Sequence, residues 1–172
     1  MEGVERYKVK LQPHNSAWKE EFLELKDKLE SVLHNVVIDI QHVGSTAVPT
    51  IWAKPILDVA ILVKILGYTE IEKIKKLGYD YCGARENNCN YHLFVLRGKN
   101  NISLHHIHCY DKTHSGFERL VLFRDYLNKN TNAALEYDKL KKELSKHYKD
   151  NRQLYTNAKA DFIQSIYEKM GI

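Results

Sequence analysis

Three groups of residues in this chain of 172 carry side chains that can do chemistry. The first is Gly44-Ser45-Thr46, a turn that follows the apolar run Val36–Val43. Glycine lets the backbone turn tightly, and the residues after it offer two hydroxyls and outward N–H groups, a corner suited to phosphate oxygens. Ser and Thr also favour ordinary helix N-caps, and on these three residues alone the cap is the simpler reading. The second is Asp58, set inside Ile56-Leu57-Asp58-Val59-Ala60-Ile61-Leu62-Val63. A buried ionised carboxylate without a partner costs about 3–5 kcal/mol, so Asp58 requires one. Lys54 offers a plain salt bridge. A divalent cation shared with a substrate's phosphates is the other candidate, because Mg²⁺ is often held by one or two carboxylates plus phosphate oxygens.

The third is Ser103-Leu104-His105-His106-Ile107-His108-Cys109-Tyr110. On a strand His106 and His108 project to one face, and His105 and Cys109 to the other. Such a pair can be metal ligands or proton carriers, or residues satisfied by neighbouring carbonyls. A zinc site drawing on Cys82, Cys89 or Cys109 has irregular spacing and is the weaker reading. His42, just before the glycine turn, either reaches the same pocket or simply ends its strand.

Elements of ordinary kinds are needed to bring these groups together. Asn15 or Ser16 caps a helix whose apolar face runs Trp18, Phe22, Leu25, Leu29, Val32, Leu33, near the 3.6 period. The strand Val36–Val43 follows, then the turn, a short loop or helical turn over Ala47–Ala53 with Pro49 in it, and the buried strand Ile56–Val63. On that strand Asp58 shares a face with Ile56, Ala60 and Leu62. Thr69–Leu77 reads as a helix closed by Gly78. Strands are expected around Tyr79–Cys82, Tyr91–Leu96 and Ile102–Tyr110, with a hairpin or mobile loop at 83–90. Three helices then close the chain over about 114–172. Ser115/Glu118 and Asp150/Gln153 stand at capping-box spacing. The middle helix turns Leu135, Leu140 and Leu144 inward, and the last turns Leu154, Ala158, Phe162, Ile166 and Met170 inward. The expected architecture is α+β: a short mixed sheet flanked by helices, with a helical C-terminal part, in one domain over 1–172.

A hydrophobic share of 44% and a charged share of 28% are ordinary for a globular protein. The net charge of +4 is a mild bias toward anionic partners, too small to indicate nucleic acid without a localised patch. No apolar run approaches the ~18 residues of a membrane span, MEGVERYKVK lacks a signal-peptide core, and three cysteines without a CxxC pair do not make a disulfide framework. The expected address is the cytoplasm.

The segments HVGSTAVPTIWAKPILDVAILV, LHHIHCYDK, ERLVLFRDYLNKN, AALEYDKLKKEL and DNRQLYTNAKADFI, in that order, resemble the GrpB family from about Lys8, through Pro13-His14 and Trp18, to the C-terminus. The resemblance implies the polymerase-beta-like nucleotidyltransferase fold. That superfamily's pattern is a strand, Gly-Ser, about a dozen residues, an acidic-hydrophobic-acidic strand and a third carboxylate on a later strand. Gly44-Ser45 and Asp58 match it, with twelve residues between Ser45 and Asp58. The second acidic position falls on Ala60, and the later strand offers His106 and His108 instead of a carboxylate. What the resemblance implies is a nucleotide or other phosphorylated small molecule as ligand, no membrane partner, and a divalent metal. The metal would be Mg, Mn or, because imidazole suits them, another transition metal. Asp58, His106 and His108 would be catalytic, with Asp58 and His108 on the metal. Gly44, Ser45, Thr46, Lys54, Arg124 and Lys159 would hold phosphate. Three activities are open: nucleotidyl transfer, nucleotide binding without turnover, and metal-dependent hydrolysis through Asp58 and His106/His108.

Overall fold

The sheet that carries these residues is assembled from both ends of the chain. The computed structural model describes residues 1–85 and 88–172, and the side chains of 85, 88 and 89 lie outside that description, as does the turn of the 83–90 segment. The strands are β1 (Val4–Glu5), β2 (Val37–Val43), β3 (Leu57–Val63), β4 (Tyr79–Arg85), β5 (Asn88–Arg97) and β6 (Ile102–Asp111). They form one mixed sheet in the order β2-β3-β6-β5-β4, with β1 antiparallel on the start of β6. Among the described residues, only β3 and β6 run parallel; β2–β3, β5–β6 and β4–β5 are antiparallel.

Alternation then decides which face each residue meets. Ile40, Leu57, Val59, Ile61, Val63, Phe94, Ile107 and Cys109 turn to one face. There they are covered by Phe22, Leu25, Leu29 and Leu33 of helix α1 (Ala17–Leu33) and by Ile74 of helix α2 (Tyr68–Lys76). This is the main core, and each large aliphatic side chain buried in it contributes about 1.5–3 kcal/mol. His105 faces the same way, bonded between the Tyr79 hydroxyl (2.7 Å) and Glu21 (2.7 Å), so it is fully occupied in structure.

The opposite face carries Asp58, Ala60, His106 and His108, and helices from the C-terminal part cover it: α3 (Gly116–Lys129), α4 (Thr131–His147), α5 (Arg152–Asn157) and α6 (Ala160–Met170). The chain here departs from three sequence expectations. The last helix is two, broken at Ala158-Lys159. The inward stripe of α4 is Ala134, Tyr137, Asp138 and Lys141, while Leu135 is exposed. Neither expected capping box forms: the Ser115 side chain makes no cap bond, and α5 is capped by Asn151, which accepts from the Leu154 amide at 3.0 Å, while Asp150 pairs with Lys8. No helix is long and apolar enough to cross a membrane, among the described residues.

Candidate functional site: one carboxylate, two histidines and three lysines

Strand register builds the centre. Asp58 on β3 lies directly beside His106 on β6, and Ala60 beside His108. On its other side Asp58 faces Val43, the last residue before Gly44. Asp58 Oδ1 is 3.2 Å from His106 Nδ1 and 3.7 Å from His108 Nε2. One ligand atom from each of the three residues lies within 4.8 Å of the others, the single such group among the described residues; neither Cys82 nor Cys109 joins it. The Tyr91 hydroxyl bonds His108 Nδ1 at 2.8 Å. With the Tyr91 hydroxyl donating to Nδ1, Nε2 carries the ring proton toward Asp58; the other tautomer, with the proton on Nδ1, would present the Nε2 lone pair to a metal ion. Burial pushes the Asp58 carboxyl up, yet the hydrogen bonds and charges of His106 and His108 overcome it and hold the group well below the usual carboxylate range. Burial pulls His106 down, with Asp58 working against it.

Gly44 closes the corner over this carboxylate. Its φ of 70° and ψ of −171° belong to a region that is essentially glycine's alone. A Cβ there would stand 2.6 Å from Asp58 Oδ2. Ser45–Ala47 then form a single 3₁₀ turn, whose leading amides have no carbonyl within the turn to bond. Thr46 is buried, and its hydroxyl is hydrogen-bonded with His42 Nε2 at 2.9 Å, so it faces the core side rather than the corner. His42 itself stacks on Phe22 at 5.1 Å, and burial brings it down to about 4.

Cations gather around this one carboxylate. Lys141 Nζ donates to Ser45 Oγ at 3.2 Å and also to the Trp52 carbonyl. Lys54 and Lys159 flank the buried Tyr155 ring, at 5.3 and 4.6 Å from its centroid. Lys54 forms no ion pair with Asp58. Burial lowers all three ammonium groups. Lys54 falls to about 7, with Lys159 and Arg152 adding to the effect; Lys141 falls to about 7, with Lys159, Lys142 and Lys54 adding; Lys159 falls to about 8. Asp58 opposes the shift in Lys54 and Lys159, and Asp138 opposes it in Lys141. These lysines give up their protons more readily in the fold than in the open chain, whose pKa is near 10.5. Between the folded values of about 7 to 8 and the open-chain value of 10.5 the unfolded chain therefore binds more protons, and stability should rise with pH across that window. Urea unfolding at pH 7, 8 and 9 measures it; a flat or falling series would contradict the cluster.

Arg124 is placed differently from the lysines. It donates to the His42 carbonyl (2.7 Å), Gln41 Oε1 (3.0 Å) and Asp125 (2.8 Å), fastening α3 to the end of β2. Lys141 and Arg152 are the residues that sequence reasoning passed over. Lys141 sits in a run of lysines that reads as a solvated face, yet it is 1% exposed. Arg152 interacts with Asp58 through space from the start of α5. Tyr137 and Tyr155 are both buried under lysines.

The donor set fits one ion. Two imidazoles and a carboxylate suit Mn, Fe, Ni or Zn better than Mg. The place of a second carboxylate is not merely vacant of acid: Ala60 is packed with Val43, Tyr110 and Phe117. When bound, such an ion would supply Lewis-acid stabilisation to a phosphate oxygen.

Comparison with known proteins adds the following. The family model described as "GrpB protein" matches residues 8–169. The UPF0157 protein YqkA of Bacillus subtilis is 36% identical over 94% of this chain, and the chain spans only 47% of that relative's length. The crystal structure of the conserved protein GrpB from Enterococcus faecalis superposes with a TM-score of 0.83 at 28% identity, covering 93% of this chain and 96% of that one. Cid1, described for its RNA terminal uridylyl transferase activity, gives a TM-score of 0.53 at 12% identity over 79% of this chain and 42% of that one. At that identity the likeness is one of fold, and the fold is nucleotidyltransferase-like.

Proposed function

The chain belongs to the GrpB family, and from that premise we propose that it binds the phosphate chain of a nucleotide in the lysine corner, with one divalent ion at Asp58, His106 and His108. The observation that carries this reading is the excess of cations. Lys54, Lys141 and Lys159 interact with one another and share Asp58 and Asp138 as their named counter-charges. A polyphosphate supplies the missing negative charge. Lys141 donates to Ser45 Oγ, which leaves the Ser45 hydroxyl proton to donate outward to a phosphate oxygen. The turn amides of Ser45 and Thr46 offer further donors.

Nucleotidyl transfer is the reaction this arrangement serves. An acceptor oxygen bonds to the α-phosphorus, the α–β phosphoanhydride bond breaks, pyrophosphate leaves with that electron pair, and the acceptor proton passes to solvent. Ala60 favours a second reading, nucleotide binding without turnover, because the fold's second acidic position is occupied by apolar packing.

The test is incubation with radiolabelled ATP, GTP, CTP and UTP and Mn²⁺. Label transferred to an acceptor supports catalysis; saturable binding without turnover supports the binding module. Asp58→Asn should weaken Mn²⁺ binding at least about tenfold while circular dichroism stays native. Unchanged Mn²⁺ and nucleotide affinity in a folded Asp58→Asn protein would remove the site.

A further inference from the structure

On the other side of His106 from the glycine corner, over β5 and β6, lies a cavity of about 330 Å³. His106, Val95 and Arg97 form its sheet wall, Arg6 and Tyr7 of the N-terminal segment its rim, and Arg152 of α5 its remaining side. Three arginines thus line one space. Arg97 has the Asp80 carboxylate at 3.0 Å. Arg6 sits over the Tyr7 ring, 5.0 Å from its centroid. Among the described residues, the Arg152 side chain donates to the carbonyls of Glu5 and Lys8 and to the Ser103 hydroxyl, at 3.4–3.5 Å. Asp80 pairs with Arg97 and Asp58 acts on Arg152 through space, so two carboxylates are set against three forks, each with the planar geometry that binds phosphate bidentately. Tyr7 is held at φ 71°, an uncommon conformation for a non-glycine residue, with its carbonyl accepting from the Arg152 amide at 2.9 Å.

We propose that this cavity is a second anion site that takes a phosphomonoester-bearing small molecule. Its phosphate is held by Arg6, Arg97 and Arg152, and its other end reaches the His106 edge of the Asp58 centre. The volume suits a small ligand and not a polymer groove. Its charge suits a dianion, which a single-charge diester or carboxylate matches less well. If the nucleotide reading above holds, on which this role rests, the bound molecule is the acceptor. A hydroxyl oxygen of it then makes the bond to the α-phosphorus, and pyrophosphate leaves.

Calorimetric titration of the full chain with glycerol 3-phosphate tests the site, in Mn²⁺ and a saturating non-hydrolysable ATP analogue. The variants are the doubles Arg6→Gln/Arg97→Gln and Lys54→Gln/Lys159→Gln, each checked for a native melting curve. The expected result is one saturable site that weakens about tenfold or more in the arginine double and holds within about twofold in the lysine double. Absence of saturable binding, or an arginine double that binds as wild type, overturns the proposal. So does binding of an oligouridylate without a terminal phosphate in place of glycerol 3-phosphate. The two readings fail separately. An analogue that does not bind, with glycerol 3-phosphate still arginine-dependent, removes the nucleotide and leaves the anion site; the converse removes the anion site alone.

Discussion

Gly44→Ala is expected to lower the unfolding free energy by about 2–4 kcal/mol and to abolish nucleotide and metal binding together. Two independent causes act at this position. The backbone conformation, φ 70° with ψ −171°, is one that a Cβ penalises by itself. The added methyl also lands 2.6 Å from Asp58 Oδ2 and 2.9 Å from Asp58 Cβ. Asp58 cannot move aside cheaply, because its other oxygen is engaged with His106 and His108 and its strand is hydrogen-bonded on both edges. Either the turn unwinds or the carboxylate leaves its histidines, and both outcomes dismantle the site. Urea denaturation followed by Mn²⁺ titration of the variant gives the measurement. A variant with wild-type stability and wild-type Mn²⁺ affinity would show that the corner is not built around Asp58.

Period-two reasoning read the Asp58 centre well because a strand leaves little freedom. Once Asp58, His106 and His108 lie on strands, their faces are set, and parallel pairing of β3 with β6 completes the contact. The partner strand itself was beyond the sequence, since no residue states that β6 rather than β4 or β5 pairs with the strand that carries Asp58. Helices gave the opposite experience. In α4 the expected inward Leu140 does pack against the core and Leu144 is half-buried, but Leu135 is exposed and the centre of the buried stripe lies about one residue, some 100°, away. The true stripe contains Asp138 and Lys141, which look like surface letters. They are inward because each meets a backbone group of the loop after the glycine corner: Asp138 accepts from the Trp52 amide at 2.6 Å, and Lys141 donates to the Trp52 carbonyl. Hydrophobic periodicity cannot report a face that is buried through polar pairing. The break at Ala158-Lys159 was hidden for a related reason, since an apolar residue every fourth place continues straight through it. Arg124 shows a converse case. Its partial burial was legible from Leu122, Phe123 and Tyr126, but burial alone did not say that its fork would be spent on Gln41 and His42.

Lys141 offers the sharpest separation of a structural from a ligand-binding role. Truncation by Lys141→Ala removes a fully buried stem and leaves the Trp52 carbonyl without this donor, so a loss of about 3–5 kcal/mol is expected. Lys141→Met keeps the stem's volume and removes only the ammonium. The charge is already disfavoured where it sits, since burial has brought the group down to about 7. Methionine therefore gains from ending that penalty roughly what it loses at the Trp52 carbonyl and Ser45, and stability should change by no more than about 1 kcal/mol. Its slope with pH between 7 and 9 should also become shallower, because one of the three depressed lysines is gone. Affinity for a polyphosphate should nonetheless fall by roughly one to two orders of magnitude, since a charge-assisted donor no longer fixes the Ser45 hydroxyl toward the ligand. Pyrophosphate titration of the folded Lys141→Met protein decides the matter. If affinity is kept while Lys141→Ala unfolds the chain, the lysine belongs to the loop's architecture; if affinity falls in a protein of unchanged stability, its buried charge serves the phosphate.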